Sequence, residues 1–234
     1  MIAGVDGCRA GWVVAQSPAW PCPEIPRMMI CRDFATVLAA TADCAAVAVD
    51  MPIGLLPNGD ARECDALARK RLGKGATSRV FNTPSRSLLD SPTYREFNLR
   101  HRRHFGKGIS QQAFGLVPKL REVDTALTPT LQERVREFHP ELVWQRLAGR
   151  TLPSKHTAEG LTARWKLLRP SVPGLDKLRE WRGKAGGALK EDDLLDALAG
   201  LELAHRLAHE PTRAARVPEN PPRDEHKLRM EIWY

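Results

Sequence analysis

The sequence predicts an α/β fold in which helices cover a central β-sheet. Three observations point to it: short strand-like runs lead the chain, an apolar run over residues 45–49 fits a strand buried on both faces, and amphipathic helical segments follow. Leading strands, a buried central strand and trailing helices together indicate one α/β layer structure. We therefore expect a single domain over residues 1–234, with a helical basic insertion at about 58–135.

Length and composition exclude several classes of protein. The chain has 234 residues, of which 42% are hydrophobic and 27% charged, as in an ordinary globular protein. No apolar run reaches the roughly 20 residues of a membrane helix, and the first residues do not resemble a secretory signal. We therefore expect a cytoplasmic protein without a membrane partner. The five cysteines form no Cys-x-x-Cys pair, which argues against a disulfide framework and a structural zinc site.

The first fifty residues read as four strands and one helix. Residues 2–5 and 12–16 are β-branched and aromatic runs joined by a turn with two glycines, which is typical of a β-hairpin. A third strand is predicted over 27–31, and Asp33 is placed to cap the helix that follows it. The buried apolar run is the fourth strand, and it ends at Asp50.

The rest of the chain is mainly helical by its pattern. Helices are predicted over residues 61–72, 94–103, 112–121, 131–138, 157–169, 174–182 and about 192–209. Residues 139–144 are predicted as a strand or its beginning, because Pro140 favours an extended residue before it. Alternating apolar and polar residues over about 228–234 predict a terminal edge strand.

Positive charge is concentrated in the predicted insertion. The formal net charge is +8, and residues 61–107 carry twelve Lys and Arg against four acids, which is the entire excess. Such a segment is either a solvated surface or a surface that binds the phosphate backbone of nucleic acid. The candidate nucleic-acid contacts are Arg69, Lys70, Arg71, Lys74, Arg100, Arg102, Arg103 and Lys107. Lys155 is among the further side chains within possible reach of a phosphate.

Five acids are candidates for a catalytic centre. Asp6 and Asp50 each end a predicted strand, and if these strands are parallel neighbours both carboxylates emerge at the sheet edge where ligands bind. Glu141 follows a stiff His-Pro pair. Asp193 and Asp196 lie three residues apart on one face of the last helix. Acids in a first helical turn also favour the helix dipole, but Asp196 lies too far inside the helix for that explanation.

A cluster of partly buried carboxylates requires cations to neutralise it. Hard divalent ions such as Mg²⁺ prefer oxygen ligands, and two ions about 4 Å apart can activate water and stabilise a leaving oxygen during attack on a phosphodiester. The acids therefore predict a centre for two Mg²⁺ or Mn²⁺ ions. Asp6, Asp50 and Asp193 are the expected ligands, and Asp196 and Glu141 the additional ligands or positioning acids.

Five motifs resemble the DUF429 family of predicted ribonuclease-H-like nucleases, and the likeness covers essentially the whole chain. They lie at residues 4–12 (GVDGCRAGW), 49–55 (VDMPIGL), 107–110 (KGIS), 139–141 (HPE) and 192–198 (DDLLDAL). The resemblance implies a ribonuclease-H-like mixed sheet, three antiparallel strands followed by parallel ones. It also implies catalytic acids after the first and fourth strands and on the C-terminal helix, which correspond to Asp6, Asp50, Asp193 and Asp196. The last motif also looks like the matching helix of Holliday junction resolvases.

These patterns together predict a metal-dependent nuclease that hydrolyses phosphodiester bonds of nucleic acid. One alternative is a catalytically silent nucleic-acid-binding or interaction module. Another is a relative of the actin-like ATPases and sugar kinases, whose domains begin with a similar strand and Asp-x-Gly hairpin. Those proteins need two such domains, and the sequence contains only one such hairpin at a strand end.

Overall fold

The computed structural model describes residues 1–58 and 61–234. The α-helices and strands of these residues are, in chain order, β1 (Ile2–Cys8), β2 (Gly11–Ser17), β3 (Arg27–Cys31), α1 (Phe34–Ala40), β4 (Ala46–Asp50), α2 (Glu63–Leu72), α3 (Tyr94–Phe105), α4 (Gln111–Ala126), α5 (Pro129–Gln132), β5 (Val135–Glu137), α6 (Pro140–Ala148), α7 (Ala158–Leu168), α8 (Leu175–Ala185), α9 (Glu191–His209), β6 (Arg216–Val217) and β7 (Ile232–Trp233). None of these helices has both the length and the apolar character needed to cross a membrane.

The described residues divide into two compact units. The sheet unit comprises Met1–Met51, Glu133–Ala215 and Trp233–Tyr234, and the helical unit comprises Pro52–Gln132 and Arg216–Ile232. Most of the insertion predicted at about 58–135 falls in the helical unit, although its residues 59 and 60 lie outside the described residues. The helical unit also includes the segment that leads to the C-terminus, which the sequence did not associate with the insertion.

The sheet unit is built on a mixed five-stranded sheet with the strand order β3-β2-β1-β4-β5. Strands β3, β2 and β1 pair antiparallel, and β1, β4 and β5 pair parallel. The predicted α/β class and mixed sheet are confirmed. In the parallel pair of β1 and β4, Asp6 lies directly opposite Asp50.

The three central strands are buried at nearly every position. All seven residues of β2 are buried, as are the first five of β1 and the first four of β4. Such strands have neither face open to water, which explains the continuous apolar runs in the sequence. Helix α9 packs against β1, β4 and β2, and helix α1 packs against β2 and β3.

Two sequence predictions around residue 140 are wrong. The helix predicted over 131–138 is a short helix followed by β5, which pairs with β4. The strand predicted over 139–144 is the beginning of α6. Pro140 occupies the first helical position, where its missing N–H costs nothing, and the His139 side chain caps the helix by accepting the backbone N–H of Glu141 at 3.2 Å.

The predicted edge strand at about 228–234 is shorter than expected, because only Ile232–Trp233 is a strand. Trp233 also forms an isolated parallel bridge with Phe138, directly after β5.

The helical unit is held together by a network around Arg86. Its guanidinium pairs with Asp124 at 2.8 Å, Asp224 at 2.5 Å and Glu225 at 2.7 Å. The buried Asp224 carboxylate also accepts the backbone N–H groups of Leu55 and Leu228. These contacts attach the C-terminal segment of the unit to its larger part.

Candidate metal centre

Three aspartates from three elements form a compact carboxylate cluster in the sheet unit. Asp6 of β1 and Asp50 of β4 lie side by side in the sheet, and Asp196 of α9 joins them. One carboxylate oxygen from each lies within 4.8 Å of the others. Asp6 is 6% exposed and Asp196 is fully buried, whereas Asp50 is partly accessible to solvent. Among the described residues, no other group of His, Cys, Asp or Glu side chains has such a geometry.

Glycines allow α9 to approach the sheet closely enough to bring Asp196 to the other two aspartates. A Cβ atom at Gly4 of β1 would overlap the backbone of α9 at Ala197 and Leu201. A Cβ atom at Gly200 would lie 2.8 Å from the Phe138 ring and 3.1 Å from the Cα of Gly4. Asp196 precedes Gly200 by about one helical turn. The close contact between strand and helix therefore sets the position of Asp196.

Burial and mutual repulsion disfavour ionisation of the cluster. Burial, followed by the charges of Asp50 and Asp196, raises the pKa of Asp6 well above its ordinary value. Burial, with the charge of Asp196, raises the pKa of Asp50 to about 8, while a hydrogen bond with Asp6 and the nearby Lys155 oppose this shift. The free energy of these carboxylates is lowered by any cation that enters the cluster.

Lys155 supplies one such cation from the protein itself. Its ammonium donates to Asp196 Oδ2 at 2.6 Å and lies 3.4 Å from Asp192 Oδ2. Burial lowers the pKa of Lys155, but the charges of Asp196, Asp6 and Asp50 outweigh burial and hold the pKa above its ordinary value. Lys155 therefore remains protonated beside the cluster.

The remaining oxygen of Asp196 is oriented by a buried tryptophan. The indole N–H of Trp144, which is fully buried in α6, donates to Asp196 Oδ1 at 3.0 Å. This bond satisfies the polar atom of a buried ring and fixes the plane of the carboxylate.

Replacing Trp144 with Phe is expected to weaken divalent-cation binding by about 10–100-fold, the range for loss of a group that orients a metal ligand. Phe retains most of the apolar contact but cannot donate to Asp196, so the effect on affinity should exceed the effect on folding. Mn²⁺ titration of the wild type and the variant measures the change. Trp165→Phe is the matched control, because its indole donates to Glu191 instead. Equal affinities for the wild type and Trp144→Phe would contradict this role.

Asp193 and Asp196 of α9 play two different roles. Asp193 was the expected ligand, but Asp196 is the one that lies in the cluster. Asp193 Oδ2 accepts the backbone N–H of Lys190 at 2.9 Å as part of a capping box, and it is not a member of the three-carboxylate cluster. Burial raises the pKa of Asp193, and its charge raises that of Asp6. Asp196, expected as the additional ligand, is the member of the cluster. Asp193 acts on the site through its charge.

Glu141 is not in the carboxylate cluster either. It lies in the first turn of α6 and pairs at 2.5 Å with Arg164, which is fully buried. Arg164 also donates to the carbonyl oxygens of Pro153 and Gly160. The pair therefore holds the segment before Lys155. Of the two roles expected for Glu141, additional ligand or positioning acid, its contact with Arg164 favours the second.

Sequence reasoning overlooked Glu137. This buried residue ends β5, next to β4, and its charge raises the pKa of Asp50. The available signal was the same as for Asp6 and Asp50, an acid at the carboxyl end of a parallel strand. It was missed because residues 131–138 were predicted as a helix.

The donor set fits a hard divalent cation. Mg²⁺ and Mn²⁺ prefer carboxylate oxygens over nitrogen or sulfur, and the cluster offers oxygens from three separate segments. Burial and the like charges of the cluster raise the pKa values of Asp6 and Asp50, and a bound cation would offset both effects. Asp6, Asp50 and Asp196 are the residues that would hold such an ion, with Lys155 beside it.

The metal-free protein is expected to lose stability as the pH rises from about 4 to about 8. In this window Asp50, whose pKa is about 8 in the folded chain and 3.8 ordinarily, keeps a proton that the unfolded chain has released. The folded state therefore binds more protons, and its stability decreases with pH, by a slope that approaches about 1.4 kcal/mol per pH unit for one proton. Urea unfolding in EDTA, compared between wild type and Asp50→Asn, measures this slope. A difference between the two proteins that does not change with pH would contradict the prediction.

The eight basic residues proposed as nucleic-acid contacts fall into two groups in the helical unit. Arg69 and Arg100 bind the protein itself: Arg69 donates to the carbonyl oxygens of Val80 and Phe81, and Arg100 pairs with Asp90 at 2.6 Å. The side chains of the second group are exposed: Lys70, Arg71, Lys74, Arg102, Arg103 and Lys107. Of the eight, the residues of this second group are the ones whose side chains are accessible.

A family model described as "Protein of unknown function (DUF429)" matches residues 4–223. No curated protein and no solved structure matches the chain at a significant level. The matched region includes all three aspartates of the cluster, together with Trp144 and Lys155.

Proposed function

Since the chain belongs to the DUF429 family, whose function the family description leaves open, we propose that it is a divalent-metal-dependent nuclease that hydrolyses phosphodiester bonds. The proposed fold of the sheet unit is the ribonuclease-H-like one. The observed strand order, with antiparallel strands followed by parallel ones and α9 packed on β1 and β4, supports that assignment.

The observation that carries the proposal is the carboxylate cluster of Asp6, Asp50 and Asp196 at the carboxyl end of two parallel strands. Buried acids that repel one another destabilise a fold. A bound cation removes this repulsion, so the arrangement then no longer lowers the stability of the protein. In open α/β sheets this edge is also where ligands bind.

The protein's own groups would prepare the site for hydrolysis. Asp6, Asp50 and Asp196 would hold the cation, and the Trp144 N–H would keep Asp196 in one orientation. The partial accessibility of Asp50 would leave an open side for a phosphodiester. A bound divalent cation supplies an activated water and stabilises the leaving oxygen.

The test is a cleavage assay with Mg²⁺ or Mn²⁺ on a panel of RNA, DNA, RNA–DNA hybrid and branched junctions. We expect the wild type to cleave at least one substrate, and Asp6→Asn and Asp50→Asn to be inactive on it. Equal activity in all three proteins would show that a contaminant or another site is responsible. Binding without cleavage by the wild type would favour the silent binding module.

The exposed basic residues of the helical unit are expected to bind the phosphate backbone. Changing Lys74, Arg102 and Arg103 to Gln should reduce the slope of log affinity against log salt by up to about 2.7 for duplex DNA, about 0.9 for each phosphate that is no longer neutralised. Changing three exposed lysines of the sheet unit, Lys166, Lys177 and Lys184, to Gln is the matched control. If the variant at Lys74, Arg102 and Arg103 keeps the wild-type slope of log affinity against log salt, these residues form a solvated surface and do not bind phosphate.

A further inference from the structure

Lys155 occupies one side of the carboxylate cluster as a permanent cation. Its Nζ lies 2.6 Å from Asp196 Oδ2 and 3.4 Å from Asp192 Oδ2. Provided that the cluster binds metal, as the proposed function requires, the geometry points to a centre for one divalent cation, in which the Lys155 ammonium takes the place of a second ion. The sequence alone had led us to expect two ions.

The charges of the cluster balance with one ion. Asp6, Asp50 and Asp196 carry three negative charges when ionised, and one ammonium with one divalent cation neutralises them. Asp192 pairs with the same ammonium at 3.4 Å, and Glu137 and Asp193 add negative charge beside Asp50 and Asp6. This surrounding negative charge favours keeping the Lys155 ammonium at the cluster when an ion binds.

The hydrogen bonds of Asp196 place the Lys155 ammonium where it competes with a second ion. In a centre with two ions about 3.5–4 Å apart, an ion on the Lys155 side of Asp196 Oδ2 would take the position of that ammonium. Oδ1 accepts the Trp144 N–H, and Oδ2 accepts the Lys155 ammonium. Since each carboxylate oxygen has about two acceptor sites, each oxygen of Asp196 keeps one site after its hydrogen bond. An ion bound at these sites leaves both partners in place, whereas a second ion on the Lys155 side of Oδ2 would have to displace Lys155.

The backbone just before Lys155 is held by contacts with Arg164 and Gly160. Arg164 donates to the Pro153 carbonyl at 3.0 Å and is itself paired with Glu141. A Cβ atom at Gly160 would overlap the carbonyl group of Ser154, so this glycine lets the segment lie directly against α7. The residues that immediately precede Lys155 are thus held in place. The ammonium is a built-in part of the cluster.

Counting Mn²⁺ ions bound by the full chain tests the inference, by calorimetric titration and by the electron paramagnetic resonance signal of free Mn²⁺. We expect the wild type to bind one ion. Lys155→Met removes the charge while keeping the length of the side chain, and it should bind a second ion. Lys155→Arg keeps the charge and should bind one ion. The exposed Lys166 provides the control, because Lys166→Met should behave as the wild type.

Two ions of similar affinity in the wild type would overturn the inference while leaving the proposed nuclease function intact. Lys155→Met with the same count and affinity as the wild type would also overturn it. No bound ion in the wild type would reject the proposed metal centre itself, so the two failures are distinguishable. The count in the wild type decides the matter even if Lys155→Met does not fold, and circular dichroism shows whether it does.

Discussion

Asp50→Asn is expected to remove the stabilisation that a divalent cation gives the protein. An ion present at 100 times its dissociation constant stabilises the folded state by about 2.7 kcal/mol. Loss of a carboxylate ligand should weaken binding by at least about 100-fold, since even groups that only orient ligands contribute about 10–100-fold. At the same Mn²⁺ concentration the variant should then gain only about 0.4 kcal/mol. Thermal unfolding with Mn²⁺ and with EDTA measures both values.

The same variant should be more stable than the wild type when no metal is present. Asn at position 50 removes a charge that Asp6 and Asp196 repel, so its metal-free unfolding temperature at pH 8 should rise. Asp43→Asn, a change at an exposed aspartate of the sheet unit, is the matched control and should leave both values unchanged. Equal stabilisation of Asp50→Asn and wild type by Mn²⁺ would mean that Asp50 is not a ligand.

Gly4→Ala is expected to destabilise the protein by about 3 kcal/mol or more, at the upper end of the cost of overpacking a core. The added methyl group would overlap the backbone atoms of Ala197 and Leu201. These are backbone atoms, which cannot relieve the overlap by changing rotamer as a side chain can. Helix α9 must therefore move away from β1. Because α9 carries Asp196, the variant should also bind Mn²⁺ more weakly. Urea unfolding and Mn²⁺ titration measure the two effects.

Gly183→Ala is the control, because it adds the same methyl group at a glycine with no neighbouring atoms in contact. Gly183 lies in α8, and no atom lies within 4 Å of an added Cβ. Alanine is preferred over glycine in a helix by about 0.5–1 kcal/mol, so this variant should be slightly stabilised. If Gly4→Ala also unfolds at or above the wild-type urea concentration, the close contact between β1 and α9 does not position Asp196.

The strands and the first half of the site could be predicted because their signals are local. A buried parallel strand has a continuous apolar run, and an acid at its end emerges at a known edge of the sheet. Asp6 and Asp50 were identified in this way. The predicted helix at 192–209 matches α9 to within a residue at its beginning.

The choice between Asp193 and Asp196 depends on the rotation of α9 about its axis, which the sequence does not reveal. That rotation is set by contacts between Gly4 and Gly200, two residues 196 positions apart in the chain. Helical spacing places both aspartates on one face. The packing of the helix on β1 then turns Asp196 into the cluster and leaves Asp193 to cap the first turn.

The error at residues 139–144 arose because His139-Pro140 fits both a strand and the beginning of a helix. A proline favours an extended residue before it, and this is true both of a strand and of the residue that caps a helix. Here His139 is extended because it is the N-cap of α6. The strand in this region is β5, which begins four residues before His139 and ends in Glu137. The sequence predicted Lys155 only as a phosphate contact, because the pairing of Lys155 with Asp196 joins residues 41 positions apart.

The position of a bound Mn²⁺ ion tests most directly whether the three aspartates form a metal centre. Crystals of the wild type soaked in Mn²⁺ should show one anomalous-scattering peak, with oxygens of Asp6, Asp50 and Asp196 at about 2.0–2.6 Å, the range of hard-cation bonds to oxygen. The Lys155 ammonium should remain on Asp196. A cluster without Mn²⁺ in crystals that bind the ion elsewhere would contradict the proposed metal centre.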